Sequence, residues 1–437
     1  MNLAPKIYYK LKHEVGIRLL RISLYFDSPY LTSLVLAILT SNINGTENSH
    51  TVLCIGRSIF QEDVSAMAKQ SRRINYKIIH LVYIEVIFNH FFKNLRVEVT
   101  EDNYHDPEFL SKNKDGYREY LAKTISFLRK ILGIDGVLLA NFVYVILQEL
   151  SNACKIIGLP LIILHKEGLA LLSIKPERLN IHYKNYRFVG DKILLYNETI
   201  KEILLSNKIP GLSDNKCEVV GIPRLDIYFE VNKNTSQRPK QVIFFAFSPR
   251  STFQFLASTE EEFNKIEKRT FDFYSSVIKF AVKHPHILVA IKTKMSKHFK
   301  DYVTNILMDH FPGVLIPNLT VTNIGDVTQM IVESSVVIGF NSTTLIEGLI
   351  LNKRIISPYF GDILGERALT FFREYPLLVN YCRNYSELEN HILGRDAVKY
   401  SPEYLDGFIE KFISKHRGNA SITAETAILN TINSINP

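Results

Sequence analysis

Four polar clusters in this 437-residue chain each follow an apolar run of strand-forming residues, and each has side chains that could do chemistry. His165-Lys166-Glu167-Gly168 offers a base, a cation and a carboxylate in a row. Histidine titrates near neutral pH and can take a proton from a sugar hydroxyl. Glu167 can do the same, or serve as nucleophile or hydroxyl anchor, and Lys166 can pair with phosphate or carboxylate. Lys292 and Lys294 flank Thr293. Alternation along an extended segment puts both cations on one face, where they could hold a diphosphate and stabilise it as a leaving group. Ser248-Pro249-Arg250 supplies a hydroxyl and a guanidinium, the latter suited to bidentate binding of phosphate or carboxylate. Asn341-Ser342-Thr343-Thr344 opens a helix whose free N–H groups and dipole favour an anion.

Each cluster also has a plainer reading. The lysines and the HKEG run can be solvated loops, and Arg250 an exposed turn residue. Thr344 and Glu347 have capping-box spacing, in which the threonine caps the helix and the glutamate reaches back. Glu347 would instead hydrogen-bond a ribose if the turn before it faces a ligand. Arg224 and Asp226 can simply pair with each other.

The elements that must position these residues repeat as strand then helix. Strands are expected at Thr51–Gly56, Tyr76–Tyr83, Leu95–Val99, Gly136–Ala140, Pro160–Leu164, Lys192–Tyr196 and Glu218–Val220. A polar, aperiodic stretch follows, and the pattern restarts with Gln241–Phe247, Ile287–Ile291, Val314–Ile316, Ser335–Phe340 and Arg354–Ser357. Alternation of this kind predicts an α/β protein with two doubly wound, Rossmann-like domains and ligand turns along one rim of each sheet. The expected division is 1–228, a linker at 229–240, and 241–437 with a mostly helical tail. A cleft between two such domains is a favoured place for a small ligand.

Composition narrows the chemistry. Hydrophobic residues make up 46% and charged residues 22%, as in an ordinary globular protein. The net charge of +8 suits an anionic partner without choosing one. Four scattered cysteines, with no CxxC or Cys/His spacing, fit a reducing, cytoplasmic compartment and no metal site. There is no GxGxxG, no Walker lysine motif and no strand-end DxD, which disfavours hydride transfer, ATP hydrolysis and a divalent cation. The aromatics fall inside apolar segments, so nucleic acid is not indicated. No signal peptide is evident, and the most apolar window, Tyr30–Thr40, is too short to cross a bilayer. Lys6–Arg21 has a basic amphipathic pattern. The favoured reading packs it on the domain with its charges in water; the other lays it on the inner face of an anionic membrane.

Three motifs carry a resemblance. Val219–Asp226 resembles the V-x-G-x-P-R-x-D that ends the first domain in GT-B glycosyltransferases of bacterial surface-carbohydrate synthesis. Ile291–Lys294 resembles their I-K-x-H/K strand end. Ser335–Ile356 resembles their donor-nucleotide segment, with Ser334-Ser335 where an acidic residue is common and Asn352-Lys353 in place of Gly-Lys. The group includes capsule-type Kdo transferases, CDP-glycerol glycerophosphotransferases and UDP-N-acetylglucosamine 2-epimerases. The chain lacks the His-Pro of the glycerophosphotransferases after Ile291. The resemblance implies a metal-independent transferase using a nucleotide-sugar, CMP-linked donors included, and a glycan or lipid-linked acceptor. It places the donor on Ser248, Arg250, Lys292, Lys294, Asn341–Thr344 and Glu347, with His165 and Glu167 on the acceptor side. Lys166 and Arg224 are accessory candidates. A 2-epimerase, a polyol-phosphate transferase and a non-catalytic glycan-binding or membrane scaffold remain as alternatives.

Overall fold

The computed structural model describes residues 3–44, 50–93, 95, 97–168, 186–231, 241–253, 256–295, 297–396, 398–413 and 415–435. The chain divides into two compact units, 1–226 with 411–437, and 227–410. Each is built on a sheet of Val- and Ile-rich strands. Such runs are buried on both faces, as parallel strands covered by helices must be.

The first sheet comprises β1 (Ser41–Asn42), β2 (His50–Gly56), β3 (Ile74–His80), β4 (Gly136–Leu139), β5 (Leu161–His165), β6 (Lys192–Leu195) and β7 (Cys217–Val219). Its order is β1-β3-β2-β4-β5-β6-β7. β1 runs antiparallel to β3 and the other pairs are parallel. From β2 the chain winds outward to β3, then returns to place β4 on the other side. The topological switch therefore lies between β2 and β4.

The second sheet comprises β8 (Gln241–Phe245), β9 (Leu288–Lys292), β10 (Leu319–Thr322), β11 (Val336–Ile338), β12 (Arg354–Pro358) and β13 (Asn380–Cys382). Its order is β10-β9-β8-β11-β12-β13, parallel throughout. Here the switch lies between β8 and β11. Helix Thr343–Ile350 packs tightly beside it. A Cβ on Gly348 would meet the Ile355 side chain at 2.9 Å and that of Val337 at 3.0 Å, so any larger residue there would have to displace them.

Several expected boundaries shift. The described residues of 95–99 form no strand; helix Leu81–Phe92 follows β3 directly, and β1 occupies the sheet edge beyond β3. The strand expected at Val314–Ile316 is β10, on the far side of Pro317, which lacks the N–H a ladder needs. β13 was not anticipated. The expected linker is partly the short helix Asp226–Glu230, and 232–240 lie outside the described residues.

The tail is the larger correction. Residues 411–437 belong to the first unit, not the second. Helix Ala420–Ile435 buries Ala424, Ala427, Ile428 and Ile432, and packs on helix Ser58–Gln70. Asp226 fixes its start: the carboxylate accepts the N–H of Ala420 at 3.0 Å and of Ser421 at 2.7 Å. These are donors that no residue within the helix can satisfy.

Candidate functional site

The second unit offers the clearer site. β8 ends at Phe245 and β11 at Ile338, and these strands flank the switch point. Ligands of open α/β sheets bind in the crevice at the carboxyl ends of such a pair. Ser248 follows β8, half-buried, and Asn341–Thr344 follow β11. Phe340 anchors this second turn from below. It stacks on Phe253 at 4.7 Å and meets Phe360 edge-on at 5.0 Å. Leu345, 1% exposed, anchors the other end.

Asn341 adopts φ 47°, the left-handed region that asparagine tolerates better than other non-glycine residues. Its Oδ1 is buried and finds no partner among the described residues. Ser342 is the helix N-cap, accepting from the Thr344 N–H at 3.4 Å and sharing a 2.7 Å hydrogen bond with the Thr344 hydroxyl. The cap and the helix start lie two residues earlier than the capping-box reading required. Glu347 is then too far along to reach back to the cap. Its carboxylate, 8% exposed, accepts the Tyr228 hydroxyl at 2.7 Å, and that hydroxyl lies 3.1 Å from Thr328 Oγ1. Burial, and next the charge on Glu347, hold the Tyr228 hydroxyl well above the usual phenol range. A buried carboxylate bonded to a hydroxyl is the arrangement that a ligand hydroxyl would complete or replace. The helix ends with Asn352 at φ 54°, the left-handed position that glycine usually fills.

The lysine pair does not form one face. β9 ends at Lys292, so strand alternation stops there. Lys292 is 8% exposed and donates to the carbonyls of Thr293, at 2.8 Å, and Asn323, at 3.3 Å. Burial lowers its pKa. Lys294 is exposed, its ammonium 5.6 Å from the Phe299 ring centroid, and is the cation of the pair that solvent reaches. Arg250 lies on the short helix Pro249–Phe253, and its side chain is outside the described ones.

In the first unit, His165 closes β5 with no exposed surface, its ring 5.5 Å from Phe142. A side chain so placed is poorly disposed to meet a substrate hydroxyl. Glu167, on the turn Lys166–Gly168, is better placed. It accepts the Tyr144 hydroxyl at 2.9 Å and pairs with Lys166 at 3.1 Å. Burial raises its pKa, but Lys166 and the Tyr144 hydrogen bond outweigh this and leave it below the usual glutamate value. It is therefore an anion at neutral pH. The same pairing raises the Lys166 pKa against its burial.

Residues the sequence did not single out complete this rim. Arg57 follows β2 and Tyr144 lies a few residues beyond β4, on either side of the switch point. They line a cavity of about 330 Å³ with Glu85, Phe88, Glu101 and Ile146. Arg57 pairs with Glu85 at 2.6 Å. Asn141, 1% exposed, accepts the Val143 N–H at 3.0 Å, and its Nδ2 has no partner among the described residues. An asparagine directly after the GVLLA run was the available signal.

Arg224 is not paired with Asp226. It is held by Asp63, 161 positions earlier, at 3.0 Å to both carboxylate oxygens, and by Tyr196 at 3.0 Å. Tyr196 also donates to Asp63 at 2.5 Å. The Pro-Arg-x-Asp motif is thus a structural clasp: its arginine neutralises a buried aspartate, and its aspartate caps the returning helix. Among the described residues no cluster of His, Cys, Asp and Glu could hold a metal ion, and no helix is long and apolar enough to cross a membrane.

No protein-family model matches the chain, and no curated protein matches it in sequence. Solved structures do match in fold. Staphylococcus aureus MnaA in complex with UDP superposes with a TM-score of 0.52 at 12% identity, over 89% of this chain and 98% of that one. A Listeria monocytogenes protein assigned as a UDP-N-acetylglucosamine 2-epimerase gives 0.51 at 12% identity, over 88% and 97%. A further UDP-N-acetylglucosamine 2-epimerase gives 0.50 at 11% identity, over 88% and 96%. The fold is GT-B-like, with two Rossmann-type parallel-sheet domains.

Proposed function

We propose that the protein is a GT-B-type enzyme acting on a nucleotide-activated sugar in surface-carbohydrate synthesis, and that it transfers the sugar to a glycan or lipid-linked acceptor. One observation carries this reading. The Asn341–Thr344 turn stands at the switch point of the second sheet, with a buried Asn341 Oδ1 that has no partner among the described residues, a helix N-terminus and a buried Glu347 one turn further on. The helix N-terminus and Ser342 would take the diphosphate, with Lys294 adding a cation from the exposed side. Glu347 would accept a ribose hydroxyl in the place now held by the Tyr228 hydroxyl. No metal is required in this scheme, because these donors supply the positive field.

The first unit would hold the acceptor. Its cavity presents Tyr144 as an apolar wall and Glu85 and Glu101 as hydroxyl acceptors. Glu167, ionised and steadied by Lys166 and Tyr144, would take the acceptor's proton as it attacks the anomeric carbon; the nucleoside phosphate leaves on the donor side. His165 would position the turn that carries Glu167.

The fold neighbours support a second reading. Two are epimerases by name and one was solved with UDP, so a 2-epimerase on the same donor site is the principal rival. Polyol-phosphate transfer is a further variant. Incubation with UDP-, CMP- and GDP-linked sugars, followed by chromatography and mass spectrometry, separates them. Transfer predicts a glycosylated product only when acceptor is present. An epimerised sugar formed without acceptor refutes it. Failure of every nucleotide to bind would favour a non-catalytic glycan-binding or scaffold protein.

A further inference from the structure

From Lys12 onward, where its side chains are described, helix Leu3–Tyr25 has two apolar faces where a surface helix needs one. Its inner face buries Leu20, Ser23 and Leu24. Its outer face places Val15, Leu19, Ile22 and Tyr25 in solvent at helical spacing, and Phe26 follows in the turn just past its end; Ile22 is 52% exposed, Tyr25 83% and Phe26 65%. The outer stripe of such a helix is ordinarily polar. Beside it, helix Pro29–Leu39 exposes Tyr30 and Ile38, and Tyr30 touches Phe127 of helix Ser111–Leu132 edge-on at 5.4 Å.

This face cannot turn inward. The Ser23 hydroxyl is bonded to Thr32 at 2.7 Å, and Thr32 to the Tyr120 hydroxyl at 2.6 Å. All three side chains are buried, so this polar chain ties the three helices together in one rotation. His13 adds a 3.2 Å contact to Tyr83.

Charge selects the occupant. Arg18 and Arg21 are exposed on the same helix, flanking the stripe. Lys123 and Lys130 lie about one turn to either side of Phe127, both exposed, with Lys123 paired to Glu119. The opposing carboxylates nearby in sequence are Glu14 and Asp27. A second copy of the chain docked about a two-fold axis would bring Arg18 and Arg21 toward their own equivalents. An anionic lipid surface meets both features: it accepts the apolar stripe, seats Tyr25, Phe26 and Tyr30 at headgroup depth, and pairs with the arginines.

We propose that the outer face of helix Leu3–Tyr25, with the start of helix Pro29–Leu39, is a docking surface for an anionic membrane. The helix lies in the interface and does not span it. This surface does not depend on the nucleotide-site reading and is tested without nucleotide. The full chain is sedimented with phosphatidylcholine vesicles, with and without phosphatidylglycerol. Wild type binds the anionic vesicles and releases as salt is raised. Ile22→Ser and Phe26→Ser each weaken binding about tenfold. Arg18→Gln and Arg21→Gln each weaken it about fivefold, on anionic vesicles only. Melting temperatures stay within a degree or two of wild type, because the substituted side chains are exposed. Absence of wild-type binding, or equal binding by all variants, overturns the proposal. So does a dimer, seen by light scattering, that Ile22→Ser dissociates, since a second copy would then cover the face.

Discussion

Replacing Arg224 with methionine separates a structural clasp from a ligand-binding arginine. Asp63 has no exposed surface, and its carboxylate takes three side-chain hydrogen bonds, two from Arg224 and one from Tyr196. Methionine keeps most of the arginine's volume but leaves that carboxylate without its cation. Removing one partner of a buried pair costs about 3–5 kcal/mol, far more than an exposed pair would. At roughly 2–4 °C per kcal/mol for a domain of this size, the first unit should melt about 6–20 °C lower. Asp63→Asn in the same background removes the stranded charge and should recover part of the loss. A double-mutant cycle by urea unfolding, followed by circular dichroism, measures the coupling. Arg224 is no structural clasp if Arg224→Met unfolds like wild type and loses nucleotide affinity instead, because the guanidinium would then belong to a ligand.

Three further outcomes follow from single contacts. Asp226→Ala frees two N–H groups at the start of helix Ala420–Ile435 and should destabilise its docking by about 1–2 kcal/mol, seen as faster proteolytic loss of the tail. Glu167→Gln should lower turnover by about a hundredfold or more while leaving nucleotide affinity within about twofold, measured by steady-state kinetics and calorimetry. Glu389, against burial, is held down to about 2 by His284, Lys283 and Tyr385. A depressed carboxyl stabilises the native state above its unfolded value near pH 4.3 and loses that contribution as pH falls toward 2. Glu389→Gln should therefore flatten the acid-unfolding curve between about pH 5 and 2.

The sheets and their rims were legible because buried parallel strands are written as continuous Val/Ile runs, each closed by a polar turn. What the sequence hid depends on distance along the chain or on a single residue of register. Asp63 is 161 positions from the arginine it holds, with nothing local to mark it. The tail follows the second domain in sequence, yet its helix is capped by a residue 194 positions earlier. Thr344 and Glu347 have capping-box spacing, but Ser342 took the cap and moved the helix start by two, freeing the glutamate for Tyr228. Lys292 and Lys294 looked equivalent because alternation was extended past the strand's last residue; one is bound to backbone carbonyls and the other is free to solvent. The first helix was read by its charges, whereas its unusual feature is the apolar stripe between them.

On the proposed function, the Asn341–Thr344 turn and Glu347 hold a nucleotide. Titration calorimetry with UDP, CDP, CMP and GDP tests it on wild type, Ser342→Ala and Glu347→Gln. One nucleotide should bind wild type with a dissociation constant on the order of micromolar. Each substitution should weaken it about ten- to a hundredfold, the loss of one charge-assisted hydrogen bond. No binding by wild type, or equal affinity in all three proteins, would contradict it.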